Sequence, residues 1–256
     1  MSHGSTAPRG AAADNLEDLE LFHGLAAPGL AVVRAAMHLD RYARDAVIFS
    51  QGERASRAYA LAAGSVRIRQ TGSDGGEAVV RFIGAGEMFG LVPLFTDHQL
   101  PADAVVAEDS SVLSWSEADL KRLIERFPRI AGNVIGVLGR RLGVLQERTR
   151  ELTTLHAEQR IACAVLRLSA QVGRDTFEGR TIGFPLRRKD VAQLSGTTLH
   201  TASRTLAAWE TAGLLTSRKG CLTIRNLEAL RRVAADGRAA LSDARLRAFT
   251  PGPCVR

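Results

Sequence analysis

From about Asp14 to Leu39 apolar residues recur three and four apart, in LEDLELFHGL and LAVVRAAM, a spacing that predicts helix. Between Arg41 and about Trp115 the texture changes to short, partly alternating runs: AVIFS, AYALAAG, SVRIRQ, EAVVRFIGAG, EMFG, DAVVAE and SSVLSW. Glycines stand at their joints, and TGSDGGE has the composition of a hairpin turn. Many short strands at this spacing predict an antiparallel barrel or sandwich. Helical spacing returns in SEADLKRLIERF, with Ser116 as N-cap three residues ahead of Asp119. Pro128 interrupts it, and a long helix is predicted from Arg129 to about His156.

Along that helix Val134, Leu138, Arg141, Leu145, Arg148, Leu152 and Leu155 recur at alternating steps of four and three. This is a heptad seam, with Leu138, Leu145 and Leu152 at one repeating position. A helix of ~28 residues spans about 42 Å, more than one small domain needs. Dimerisation through Val134, Leu138, Arg141, Leu145, Leu152 and Leu155 is the expectation. A helix packed on its own domain is the alternative.

EQRIACAVLRLSAQ predicts a further helix, GRDTFEGR a loop. RRKDVAQLSGTTLHTASRTLAAWE then has the order of a helix-turn-helix. Ala192 is small where two helices cross, and Gly196 stands where the turn needs positive φ. Val191, Leu194, Ala202 and Leu206 supply apolar faces, and Thr197 or Thr198 caps the second helix. Its early face offers Thr198, Leu199, His200, Ser203 and Arg204, the part that enters a major groove in this motif. AGLLTSRKGCLTI reads as two strands turning at Lys219-Gly220, a wing. Arg187, Arg188, Lys189, Arg218 and Lys219 cluster around it, placed for phosphates, which position a protein without specifying sequence.

Composition narrows the picture. Over 256 residues, 45% are hydrophobic and 24% charged, as in an ordinary globular protein. The formal charge of +7 favours a polyanionic partner without fixing a fold. No run approaches a membrane span, and the small polar opening, MSHGSTAPRGAAADN, lacks a signal peptide's apolar segment. Cys163, Cys221 and Cys254 form no CxxC pair, so neither a zinc site nor a disulfide framework is expected. These features fit a cytoplasmic protein with no membrane partner. No Ser-His-Asp order, HExxH motif or P-loop is present, so no enzyme is expected.

From about Leu19 to Ala234 the chain resembles the CRP/FNR regulators. AYALAAGSVRIRQTGSDGGEAVVRFIGAGEMFGLVPLF is similar to their cyclic-nucleotide-binding domain, the long helix to their dimerisation helix and the C-terminal segment to their winged motif. The resemblance implies an α+β fold: an N-terminal jelly-roll (cyclic-nucleotide-binding-like) β-barrel, a long dimerisation helix and a C-terminal winged helix-turn-helix. The expected divisions are a leader at 1–15, barrel at 16–127, helix at 128–156, DNA-binding domain at 157–234 and tail at 235–256. The implied partners are double-stranded DNA, a second copy as homodimer, and RNA polymerase.

The family's nucleotide binders keep a glutamate after the GEMFG segment and an Arg-Ser pair before the next strand. Here Leu91 and the Ala102-Asp103 pair stand there, and an aspartate would repel a phosphate; no cAMP is expected. The iron-sulfur members carry cysteines near the N-terminus, but none here precedes Cys163, so no iron-sulfur cluster is expected. The Ser203-Arg204 pair resembles the FNR-like branch, which reads TTG-containing half-sites, and TTLHTASRTLAAWE is similar to NnrR-type, nitric-oxide-responsive regulators. That branch implies a haem, for which His98 in FTDHQLPAD is the candidate ligand ahead of His23, His38 and His156. The expected function is transcription regulation, as an activator, answering nitric oxide or redox state. A cyclic-nucleotide or other small-molecule signal, or no ligand, are the alternatives.

Overall fold

The computed structural model describes residues 16–237. A 3-10 turn, Leu16–Asp18, and helix α1 (Ala27–Ala35) precede strands β1 (His38–Tyr42), β2 (Val47–Phe49), β3 (Arg57–Thr71), β4 (Glu77–Ile83) and β5 (Met88–Phe89). After a second 3-10 turn, Val92–Phe95, come β6 (Asp103–Ser116), α2 (Glu117–Arg126), α3 (Pro128–Thr154) and α4 (Ala157–Val172). The rest is β7 (Gly173–Thr176), β8 (Gly179–Ile182), α5 (Arg188–Ser195), α6 (Leu199–Thr211), β9 (Leu215–Arg218), β10 (Cys221–Ile224) and α7 (Leu227–Asp236). The division between two compact units falls within α3, between Leu145 and Gln146. The expected leader, 1–15, lies outside the described residues, as does all of the expected tail beyond Gly237.

The first unit is built on β3 and β6, which pair antiparallel in the middle of a six-stranded sheet. β1 and β2 pair with β6, and β4 and β5 with β3. Where two strands were expected on either side of Gly64, the structure has one. The register shifts around this residue, whose φ is +95°, and a β-carbon there would collide with Ser110 and the Asp109 carbonyl. Glycine thus lets the strand bulge and continue. DAVVAE and SSVLSW likewise form one strand, β6. Ala60, Val66, Ala104, Val106 and Trp115 face a core shared with Leu19, Phe22 and Val33 from the N-terminal segment and Leu120 and Ile130 from the helices that follow. The buried Trp115 indole donates to Val33 O at 3.1 Å, pinning α1 to β6. Ser116 caps α2 as expected, accepting Asp119 N–H at 3.1 Å.

The long helix forms, but its exposed seam is offset from the expected one. Val134 packs on the barrel core. Arg141 turns inward and donates to Met88 O, and Arg148 donates to Leu194 O at 3.3 Å. Leu155 is half-buried. The large apolar residues of this helix left exposed are Ile135 (71%), Leu138, Leu142 (58%), Val144, Leu145 and Leu152, all but Val144 following one heptad face. Leu138, Leu145 and Leu152 thus share an exposed face with Ile135 and Leu142, while Val134 and Arg141 turn toward the barrel. Burying a guanidinium in an apolar seam is costly, and the neighbouring register avoids it.

The second unit packs α4 against α5, α6 and α7 beside a four-stranded antiparallel sheet, β7-β8-β10-β9. GRDTFEGR, expected as a loop, is the β7–β8 hairpin, paired through β8 to β10. Its tip residue Phe177 is 99% exposed.

Candidate functional site

α5 and α6 form the expected helix-turn-helix. The α5 end is closed by Gly196 in the left-handed region, φ +60° and ψ +40°, which glycine adopts without a steric penalty. Thr197 N–H then donates to Ala192 O at 2.9 Å, and Ser195 Oγ to Val191 O at 2.7 Å. Ala192, Val191, Ala202 and Leu206 are buried, locking the pair, with Leu194 half-buried beside them. Thr198 is the N-cap of α6, its side chain accepting Thr201 N–H at 3.1 Å. The cap leaves the first turn of α6 facing out: Thr198, Leu199, His200 and Arg204 are exposed and Ser203 half-exposed. Helix N-terminal groups and an arginine on one outer face can meet phosphates and guanine edges together.

The far end of α6 is fixed by charge. Arg188 Nη2 pairs with Glu210 Oε1 at 3.0 Å, and Ser217 Oγ donates to the same oxygen at 2.5 Å. One carboxylate thus joins α5, α6 and β9. Trp209, fully buried, donates its indole N–H to Glu158 Oε1 at 3.1 Å. The wing forms as expected, turning at Lys219 (φ +51°) and Gly220, and Leu186 N–H donates to Gly220 O at 3.0 Å. The basic residues divide into two kinds. Arg187, Lys189 and Lys219 are exposed beside the α5 start and the wing tip, whereas Arg188 and Arg218 have carboxylate partners, Glu210 and Glu178, the latter at 3.0 Å. Arg188 is thereby a brace more than a phosphate contact. Glu210 was not legible beforehand as the residue that joins these elements. Glu210 had one signal, its place at the end of an otherwise uncharged helical face.

In the first unit, Leu91 is buried in the core, and Ala102, next to Asp103 in sequence, is buried as well. Asp103 does not aim a bare charge at a binding cavity. It lies next to Ala104, whose side chain enters the core from the opposite face of β6, and pairs with Arg69 at 2.8 Å while accepting Gln51 N–H at 2.8 Å. Desolvation pushes its pKa up, but the Gln51 amide and the Arg69 guanidinium outweigh this and hold the carboxyl below the usual range. The expected repulsion of phosphate by Asp103 is therefore not what the geometry provides. Arg81, paired with Glu87, and Arg141, bonded to Met88 O, converge instead near the β4–β5 turn. Burial lowers the pKa of Arg141, and Arg81 adds to that while Glu20 and Glu87 oppose it.

His98 has positive φ, +58°, and its buried Nδ1 lies 3.8 Å from Glu117 Oε2. Lys121 and Arg54 also act on Glu117, and Asp97 flanks the ring. A haem needs a wide apolar slot around its ligand; these charged neighbours do not fit one. Among the described residues no group of three or more His, Cys, Asp or Glu side chains is placed to hold a metal ion, and no helix is long and apolar enough to cross a membrane.

An antiparallel β unit, a long helix and a winged helix-turn-helix together define a DNA-binding regulator. Residues 39–127 match the cyclic nucleotide-binding domain family, and residues 159–233 the Crp-like helix-turn-helix domain family. Over 214 residues the chain is 31% identical to the cyclic AMP receptor protein of Thermus thermophilus, covering 84% of this chain and 96% of that one. It is 25% identical over 187 residues to the fumarate and nitrate reduction regulatory protein of Escherichia coli K12, covering 73% and 74%. The structure of FixK2 from Bradyrhizobium japonicum superposes with a TM-score of 0.66 at 23% identity, over 77% of this chain and 96% of that one. The chain belongs to the CRP/FNR family of transcription regulators.

Proposed function

We propose that this regulator binds palindromic DNA as a homodimer, reading TTG-containing half-sites through α6 and activating transcription by contact with RNA polymerase. The observation that carries the DNA reading is the outward face of the first turns of α6, where Thr198 caps the helix and His200, Ser203 and Arg204 stand clear of the fold. Arg204 supplies a fork that matches guanine O6 and N7, and His200 a donor or acceptor according to tautomer. The Ser203-Arg204 pair, similar to the FNR-like branch, supports both TTG and the activator role.

The exposed seam Ile135, Leu138, Leu142, Leu145 and Leu152 supports the homodimer, since an apolar face of this length is left to a partner in stable assemblies. Gly139 and Gly143 flank it, with nothing within 4 Å of an added β-carbon. Each mid-helix glycine costs about 1 kcal/mol relative to alanine. Close approach of a second helix gives that cost a purpose. Two recognition helices would then sit about one DNA turn, ~34 Å, apart.

The similarity of TTLHTASRTLAAWE to NnrR-type regulators supports nitric oxide or redox state as the signal. Haem on His98 is not supported by its charged surroundings, and no step is built on it. A second reading, cyclic nucleotide as effector, rests on the 31% identity to a protein named cyclic AMP receptor protein. The buried Leu91 and Ala102 offer neither ribose nor phosphate an anchor. Calorimetric titration with cAMP separates the two: micromolar binding upholds the second reading, and no heat removes it. For DNA, selection of duplexes from a randomised pool, followed by footprinting, is expected to yield a TTG palindrome. Enrichment of no sequence would refute sequence-specific binding.

A further inference from the structure

The carbonyls of a helix's last turn have no partner inside the helix. At the end of α5 every one is taken. Ala192 O accepts Gly196 and Thr197 N–H, and Gln193 O accepts Gly196 N–H at 3.3 Å. Leu194 O accepts Arg148 Nη2 at 3.3 Å. Ser195 O and Gly196 O accept Arg160 Nε and Nη2, each at 3.1 Å. Arg160 spends its remaining nitrogen, Nη1, on Leu155 O at 3.1 Å, just past the end of α3.

The two arginines come from different elements, Arg148 from the last turns of α3 and Arg160 from the first turns of α4. Neither belongs to α5 or α6. Both carry positive charge to the C-terminal end of α5, where the helix dipole favours it, and both make charge-assisted bonds, the stronger kind. Burial lowers the pKa of Arg148. The neighbours of Arg160 do similar work. Glu158 accepts from Trp209 of α6, and Gln159 Nε2 donates to Ala234 O and Ala235 O at the end of α7, at 3.4 and 3.1 Å. Three successive side chains thus hold α6, α7 and the turn.

The turn sets where α6 begins, and Thr198 to Arg204 are the residues that face outward from that beginning. Resting on the DNA-binding reading above, we propose that Arg148 and Arg160 are positioning residues for DNA recognition. Together they clamp the turn to the end of α3 and the start of α4, and so set where α6 begins. They touch no DNA themselves.

The test is fluorescence anisotropy of the full chain, as wild type, Arg160→Ala, Arg160→Lys and Arg148→Ala, across a KCl series. The probes are a duplex that the wild type selects from a randomised pool and a shuffled duplex of the same composition. Arg160→Ala is expected to weaken the selected duplex ~10-fold or more and the shuffled one less than ~2-fold, collapsing the ratio that defines specificity. The slope of log K against log salt stays at the wild-type value, because no phosphate contact is lost. Arg160→Lys recovers part of the loss, since one ammonium cannot serve the Ser195 and Gly196 carbonyls as a fork does. Wild-type affinity in both alanine variants overturns the clamp. So does a slope shallower by about 0.9, the signature of one lost phosphate contact. If Arg160→Ala does not fold by circular dichroism, Arg160→Lys and Arg148→Ala decide on the same criteria. A wild type that selects no duplex refutes the DNA reading before any variant is made, and so is told apart from failure of the clamp.

Discussion

Leu152, from the exposed seam of α3, lies against Gly196, where a β-carbon would meet its Cδ2. The same leucine that lies in the seam proposed to meet a partner helix therefore also roofs the turn of the helix-turn-helix. Gly196→Ala is expected to cost about 1–2 kcal/mol from the left-handed backbone alone, measured by urea unfolding. Adding Leu152→Ala relieves the steric part and leaves the backbone part. Full recovery in the double variant would mean that φ at this residue carries no strain.

Arg204 and Lys219 are assigned different work. Replacing Arg204 by alanine should cost ~1–3 kcal/mol on the selected duplex and relax discrimination at the guanine. Replacing Lys219 should weaken all sequences alike and lower the salt slope by about 1. Competition binding with single-base variants of the duplex distinguishes them. The reverse pattern would exchange the two roles.

How far the sequence foretold these features depended on how local their causes were. The helix-turn-helix was legible because its small residue, left-handed glycine and threonine cap lie within a few positions of one another. β3 was not legible as one strand, because a glycine between apolar runs marks a bulge and a turn alike. The β7–β8 hairpin was hidden because none of its residues before Ile182 is buried, so no alternation appears; backbone pairing to β10 holds it. The clamp was hidden for a different reason. Arg160 bonds to carbonyls 35 and 36 residues away, and a carbonyl carries no residue identity to read. For α3, both Val134 and Ile135 start an acceptable heptad, and the arginines at 141 and 148 were the signal for the second.

That offset gives a sharp contrast. Leu142→Asp places a charge in the exposed seam and should halve the mass seen by sedimentation equilibrium at low micromolar concentration. Val134→Ala opens space against the barrel core and should lower the melting temperature while leaving the mass unchanged. A dimer that survives Leu142→Asp but not Val134→Ala would restore the original seam.

Asp103 gives the barrel a measurable acid response. Its folded pKa lies below the unfolded value, so its stabilising contribution is complete above the unfolded pKa, about 3.9, and is lost as pH falls through the folded one. Asp103→Asn should therefore melt earlier than wild type near pH 7, with the gap closing progressively below about pH 4. Thermal melts from pH 3 to 7 report this. A gap that widens on acidification would mean the carboxylate is not stabilised by Arg69 and Gln51.

The central claim is that two copies of α6, held in one symmetric pair, read one palindrome. Stoichiometric titration of wild-type protein onto the selected palindrome and onto its isolated half-site tests this most directly. Two protomers per palindrome are expected, with the half-site bound no better than shuffled DNA. One protomer per duplex, binding the half-site as tightly as the whole, would contradict it.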